Sequence, residues 1–400
     1  MTMAPAEQPA AGLLRGVVDC VDRAHLEARL NLGNPLRIKF GVDPSAPDIH
    51  LGHTVPMRLL RRWQDRGHLP VLIIGDYTAR IGDPTGRSAT RPQLTAEQVE
   101  ANARTYLDQL FRVVDQDRCE VRHQSEWFSN FQLDQVLRLA RTTTVAQLLQ
   151  RSDFDQRMRS EQPVGVHELF YPLLQGYDSV AVEADVELGG TDQLFNLLRG
   201  REVQQAYGVA PQDIVTVPLL LGLDGQRKMS KSLGNAVAVA DPPGQQFGQL
   251  MSIPDFLIVP YLDLLTDTAP AELARLRAGL EDGSVHPRAL KAKMAEQVVA
   301  QFHGEEAARA ASREFDAVFR DHQLPDSVPE LRVGPEPTDL RALLVLAGLA
   351  GTRSEAARLI DQGGVRVDGR QVLGWSEPLT PRDRMLVQVG KRRVVRLLVP

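Results

Sequence analysis

The stretch from Leu36 to Ile74 constrains this chain more than any other. Leu36 to Val42 reads as a short apolar strand, a turn rich in proline and aspartate follows, a helical pattern runs from about Thr54 to Arg66, and Val71 to Ile74 reads as a second strand. A strand, a glycine-containing turn, a helix and a strand in this order make a β-α-β unit. Its strands are expected to be parallel, its crossover right-handed and its sheet an open α/β sheet, with ligands beyond the carboxyl ends of the strands. The alternation continues with helical patterns near 95–112 and 132–150, a strand near Asp185 to Leu188, a helix from about 192 to 206 and a strand near 214–220. Residues 1–225 are therefore expected to form one Rossmann-type, nucleotide-binding domain of the α/β class.

After Asp241-Pro242-Pro243 the strand signals fade and amphipathic helical segments fill about 245 to 320, which predicts a helical domain over 226–325. The polar, proline-rich stretch that contains Gly334-Pro-Glu-Pro predicts a linker over 326–337, and a small third domain should occupy 338–400. Charge supports this partition. The chain as a whole carries a formal −5, but 338–400 holds eleven Lys+Arg against six Asp+Glu, a net +5, which leaves −10 on the preceding 337 residues. With 43% hydrophobic and 24% charged residues the chain has the balance of an ordinary folded protein. Cys20 and Cys119 alone form neither a disulfide framework nor a zinc-site spacing, so no protein-bound metal is expected and a reducing cytoplasm fits best. No basic start leads into an apolar run and no stretch of about 18 apolar residues occurs, so no membrane association is expected.

Of 46 basic residues only six are lysine, at positions 39, 228, 231, 291, 293 and 391. Where arginine is the habitual choice, each retained amine merits a question. Lys228-Met229-Ser230-Lys231-Ser232 follows a probable strand, in a loop with Gly222, Gly225 and Gly234. Two ammonium groups on such a loop can close over a triphosphate and stabilise charge that grows in the transition state. His50-Leu51-Gly52-His53 lies at the first strand-to-helix junction. Its imidazoles, three residues apart, can face one phosphate, the free N–H groups of the first helical turn add positive potential, and Gly52 lets a flat base lie against the backbone. Read alone, the first motif could be a solvated basic loop and the second a pair of surface histidines; the two together argue for phosphate chemistry.

These two motifs, in this order at the two edges of an α/β domain, resemble those of class I aminoacyl-tRNA synthetases. The sequence between them narrows the likeness. Tyr171-Pro-Leu-Leu-Gln175-Gly-Tyr-Asp178, Gly189-Gly190-Thr191-Asp192-Gln193 and Ile81-Gly82-Asp83-Pro84-Thr85-Gly86-Arg87 resemble the tyrosyl-tRNA synthetases, in the bacterial branch with an unbroken KMSKS loop. Independently of the family, Tyr171, Gln175 and Asp178 fall at i, i+4 and i+7, so polar groups share one helix face where a core helix would be apolar. The resemblance implies that Asp178 accepts the phenol hydroxyl of tyrosine and that Asp83, Tyr171 and Gln175 hold its ammonium, with Gln193 beside them. It implies ATP contacts at Asp43, Gly52, Gly190, Asp192, Lys228, Ser230 and Lys231, catalytic roles for His50, His53, Lys228 and Lys231, and mobile basic residues near the pyrophosphate at Arg87 and Arg91. Asp83 and Asp192 also read as turn and cap residues.

Two positions depart from the pattern. Lys39 stands where many relatives of the other branch have a tyrosine, and Gln124 stands where asparagine is common. The C-terminal block, with Arg353-Ser354-Glu355 and then Gly363-Gly364-Val-Arg366-Val-Asp-Gly369, resembles the small α+β RNA-binding fold named for ribosomal small-subunit protein S-four. Arg353, Arg358 and Arg366 would form its basic face. The implied reaction uses ATP with Mg²⁺, L-tyrosine and tRNA(Tyr), with no covalent nucleophile, in a homodimer. A tryptophan-specific synthetase is the nearest rival; a non-catalytic RNA-binding relative is the rival of another class.

Overall fold

The computed structural model describes residues 12–45, 48–83, 94–320, 328–372, 374–375, 378–390 and 393–399, without the side chains of 318–320. These fall into two compact units that divide at Gly304/Glu305.

In the first unit, strands β1 (Cys20–Val21), β2 (Arg37–Val42), β3 (Leu69–Ile74), β4 (Glu120–His123), β5 (Val186–Gly190) and β6 (Asp213–Val217) form one sheet in the order β1-β6-β5-β2-β3-β4. All pairings are parallel except the short antiparallel edge β1–β6. Runs such as Val71–Ile74 are almost wholly buried, as a sheet covered on both faces demands. Chain order reverses between β2 and β5, where the connections leave toward opposite edges, and the loops beyond these two strands open a crevice.

Helix α1 (Leu51–Gln64) follows β2, helix α2 (Val166–Ala181) precedes β5, and helix α3 (Leu194–Ala206) follows it. The helix expected from Thr54 begins three residues earlier because His50 caps it. The pattern read as one helix over 132–150 is two, Leu133–Ala140 and Val145–Leu148. Three consecutive threonines explain the break: Thr142 Oγ1 donates to the Leu139 carbonyl at 2.8 Å, while Thr144 Oγ1 accepts the Gln147 N–H at 3.3 Å and starts the next turn. Helices Pro243–Leu250, Ile258–Leu265, Pro270–Glu281 and Pro287–His303 also belong to the first unit, although sequence patterning separates them from the sheet. Three start with proline, whose missing N–H costs nothing at a first helical position.

The second unit holds helix Glu305–Arg320 and a five-stranded sheet in the order β7-β11-β10-β8-β9, from β7 (Glu330–Arg332), β8 (Val365–Val367), β9 (Arg370–Gln371), β10 (Leu386–Val389) and β11 (Arg393–Leu398). Helices α4 (Leu340–Leu346) and α5 (Arg353–Asp361) pack together over a core that includes Leu343, Leu344, Ile360, Val365, Val387 and Leu397. Part of the stretch read as a linker, 326–337, is thus an edge strand: β7 pairs in parallel with β11, and Leu331 packs on that core. Prolines at 329, 335 and 337 flank the strand without interrupting it, which an edge position tolerates. Among the described residues no helix is long and apolar enough to cross a membrane.

Candidate active site

The crevice beyond β2 and β5 is a cleft of about 990 Å³ in the first unit. His50 is the N-cap of α1, and its Nδ1 accepts the Gly52 N–H at 3.2 Å, while His53 Nδ1 accepts the His50 N–H at 3.2 Å. Since a backbone N–H occupies Nδ1 of each ring, the neutral tautomer carries its proton on Nε2. Burial, and then the neighbouring His53, Lys231 and Lys228, push His50 down to about 2; burial and the two lysines push His53 down to about 4. Both rings are uncharged at neutral pH. Each ring therefore presents an Nε2–H donor rather than a positive charge. A Cβ at Gly52 would stand 3.0 Å from the His50 ring, so the glycine is needed for the cap itself.

The lysine loop is built differently. Met229 is its buried anchor, held by its N–H to the Leu220 carbonyl at 2.8 Å. Buried Asn235 braces the turn: its Oδ1 accepts the Ser230 N–H at 2.8 Å, and its Nδ2 donates to the Lys228 carbonyl at 3.2 Å and to Asp224 at 3.0 Å. Hydrogen bonds from the backbone of Gln226 and Arg227, and from the Asn235 and Arg227 side chains, hold Asp224 well below the usual carboxylate range. Lys228 Nζ lies 2.8 Å from Asp192 Oδ2, and Lys231 Nζ donates to Asp48. Residues 49–51 pair antiparallel with 237–239, which ties the histidine turn to the chain leaving this loop.

At the other end, α2 supplies Tyr171, Gln175 and Asp178. Asp178 is 2% exposed, and its two oxygens accept Gln124 Nε2 at 2.8 Å and Trp127 Nε1 at 3.1 Å. Burial pushes its carboxyl up to about 7, against the opposing pull of the Lys39 charge and these donors. Tyr171 Oη donates to Asp43 at 2.7 Å, and burial beside Asp43 holds the phenol well above its ordinary value. Thr78 Oγ1 donates to the other Asp43 oxygen at 2.7 Å, and a Cβ at Gly75 would stand 2.1 Å from that oxygen. Asp83 accepts Gln193 Nε2 at 2.9 Å and Arg151 Nη2 at 3.2 Å.

The cleft brings together His50, Gly52, His53, Asp43, Asp83, Tyr171, Gln175 and Asp178 with Gly190, Asp192, Gln193, Lys228, Ser230 and Lys231. Arg87 and Arg91 lie outside the described residues. Arg353 and Arg358 are exposed on α5 and Arg366 on β8, all in the second unit. Five residues apart, Arg353 and Arg358 sit roughly 140° apart around the helix, so they do not share one helix face. Sequence reasoning missed Gly75, Thr78, Trp127, Arg151, Glu187 and Asn235. Only Asn235 carried a local signal, following the loop glycine. Among the described residues no group of three or more His, Cys, Asp or Glu side chains gathers to hold a metal.

The family described as tRNA synthetases class I (W and Y) matches residues 31–320, and the S4 domain matches 340–384. Fold and paired motifs thus define a class I aminoacyl-tRNA synthetase with a C-terminal RNA-binding domain of the S4 type. The tyrosine–tRNA ligase of Moorella thermoacetica is 49% identical over 96% of this chain and 94% of its own length; that of Oleidesulfovibrio alaskensis is 48% identical over 98% and 99%. A C-terminally truncated mitochondrial tyrosyl-tRNA synthetase of Aspergillus nidulans shares the fold, with a TM-score of 0.66 at 24% identity over 78% of this chain and 95% of that one. Within the class, the chain belongs to the tyrosine–tRNA ligase family.

Proposed function

We propose that the chain charges tRNA(Tyr) with L-tyrosine in two steps at this cleft. A tyrosine carboxylate oxygen attacks the α-phosphorus of ATP, the bond from that phosphorus to the bridging oxygen breaks, and pyrophosphate leaves with the electron pair. A hydroxyl oxygen of the terminal ribose of the tRNA then attacks the tyrosyl carbonyl carbon and gives up its proton, the bond from that carbon to the phosphate oxygen breaks, and AMP leaves with the electron pair. No side chain becomes a nucleophile, so the protein's contribution is positioning and charge stabilisation. His50 and His53 would donate from Nε2 to phosphate oxygens. Lys228 and Lys231 would exchange their carboxylate partners for the pyrophosphate, and Mg²⁺ would arrive with ATP. Asp43, Gly52, Gly190, Asp192 and Ser230 would meet the nucleotide; Asp83, Tyr171, Gln175 and Gln193 would hold the amino acid.

The observation that carries the tyrosine reading is the buried Asp178, whose two oxygens already accept two N–H donors and which lines the cleft. A phenol O–H would satisfy it further. Phenylalanine would leave it short of a donor, an effect for which tyrosine-activating synthetases are the standard illustration.

Pyrophosphate exchange into ATP, run with each amino acid, tests the assignment: tyrosine alone should support it. Exchange with tryptophan would move the chain to the neighbouring specificity, and RNA binding without any exchange would make it a non-catalytic relative.

The exposed arginines at 353, 358 and 366 would grip tRNA backbone, while the helices of 226–325 would lie on its anticodon side. The unbroken KMSKS loop supports the matching bacterial branch, and the reaction supports a cytoplasmic location. A homodimer is supported by large apolar side chains left exposed within 133–166, among them Leu133 and Val166, each 72% exposed. Light scattering should give twice the chain mass.

A further inference from the structure

Lys39 is one of four lysines that the proposed phosphate chemistry leaves unused, and it is fully buried. On adjacent parallel strands it stands in register with Glu187, and its Nζ lies 2.9 Å from Glu187 Oε1. Its other hydrogen bonds go to the Gln175 carbonyl at 2.7 Å and to Ser179 Oγ at 2.8 Å. Three protons thus have three protein acceptors, and none is left for a ligand.

Glu187 is surrounded by donors. Besides Lys39, its Oε1 accepts Gln175 Nε2 at 3.2 Å, and its Oε2 accepts Ser179 Oγ at 3.3 Å and Gln212 Nε2. A carboxylate facing a buried ammonium can only accept, so the Gln175 amide must turn its NH2 toward it. The opposite end of that amide is then fixed as oxygen. Gln175 Oε1 is buried, and no hydrogen-bond donor faces it in the described structure. The residue lines the cleft between Tyr171 and Asp178 on α2.

We infer that Lys39 and Glu187 are positioning residues: by fixing the Gln175 amide with its oxygen free, they make the amino-acid site an acceptor for a primary ammonium. The inference rests on the tyrosine reading and deepens it. With the amide reversed, the cleft would present N–H groups to a cationic ligand and repel it.

The test pairs tyrosine with 3-(4-hydroxyphenyl)propanoate, which keeps the ring and carboxylate but lacks the ammonium. In exchange assays on the full chain, Glu187→Gln removes the obligate acceptor, since an amide can donate as well as accept. The KM for tyrosine should rise roughly tenfold or more while kcat stays within about threefold, and the inhibition constant of the propanoate should stay within about twofold. Lys39→Met should act in the same direction. Equal weakening of both ligands would show a general collapse of the pocket and overturn the inference, as would an unchanged KM for tyrosine. Should Lys39→Met fail to fold, the double variant decides: in a Gln175→Met background, Glu187→Gln should add no further loss, and an additive loss overturns the proposal. Wild-type exchange tests the reading beneath: without tyrosine-dependent exchange both fall, whereas exchange without the ligand selectivity of the variants sinks this inference alone.

Discussion

The histidine turn and the lysine loop, which the proposed reaction sets against the same phosphates, are built of opposite materials. At 50–53 the side chains are nearly buried, uncharged and locked to backbone N–H groups in the first turn of a helix. In the 228–232 loop the two lysines are exposed, with the Lys228 side chain at 44% and that of Lys231 at 37%, and each meets a carboxylate across the cleft. The lysines contribute to keeping the histidines neutral. A site with four cations at this spacing would repel itself; with two, in the proposed reaction, it would keep fixed neutral donors on the helix and deliver positive charge from the loop. Preorganisation and charge delivery would thereby fall to different segments.

Removing the delivered charge should have the largest effect. Lys228→Ala or Lys231→Ala should lower the adenylation rate in pre-steady-state kinetics by roughly 10²–10³-fold, with tyrosine affinity unchanged within about twofold. An unchanged rate would break the comparison at its centre. Gly52→Ala attacks the rigid side. Its Cβ would stand 3.0 Å from the His50 ring and 3.6 Å from Met229 Cβ, so the capping ring must move. Loss of that alignment should cost roughly 10- to 100-fold in adenylation rate, the range that a misplacement of about 1 Å can reach. A near-normal Gly52→Ala enzyme would show that the turn is not the fixed partner.

The sequence was most readable where structure is local. The strand-turn-helix at 36–66 rests on apolar runs within a few residues of one another, short of the His50 cap that sets its first turn, and the polar face of α2 follows from helical spacing alone. Contacts between distant segments were not readable. Nothing near Lys39 announces Glu187, and nothing near Asp83 announces Arg151. Gly75 reads as an ordinary turn residue until Asp43 and Thr78 close over it. The charge state of His50 and His53 is not legible for a related reason: burial and the nearby lysines decide it, and neither is visible in the tetrapeptide. Threonines at 142–144 broke a helix that apolar periodicity joined, because their hydroxyls bond to local backbone.

Varying pH sharpens the comparison from a third point. Neither histidine changes charge between pH 6 and 8, being pushed down to about 2 and 4, whereas Asp178 is pushed up to about 7. A raised carboxylate is protonated below its own value, and a protonated Asp178 would set an O–H against the N–H donors of Gln124 and Trp127. Acceptance of the substrate phenol therefore improves as pH rises, and kcat/KM for tyrosine should climb up to roughly tenfold from pH 6 to 8. A fall over the same interval would place the controlling titration elsewhere.

The smallest effect belongs to Gly234→Ala, the loop counterpart of Gly52→Ala. Gly234 sits at φ +65°, and an added Cβ would have nothing within 4 Å, so the substitution costs backbone strain but no collision. That strain is roughly 1 kcal/mol, equivalent to about a fivefold change in rate if all of it fell on the active loop conformation. Asn235 fixes the adjoining backbone from the next position, so the loop can take up part of the strain without releasing Lys231. Adenylation should therefore slow by no more than about fivefold. If single-turnover rates fell as far as with Gly52→Ala, the loop would be as unyielding as the helix turn, and the division between a fixed donor and a delivered charge would not hold.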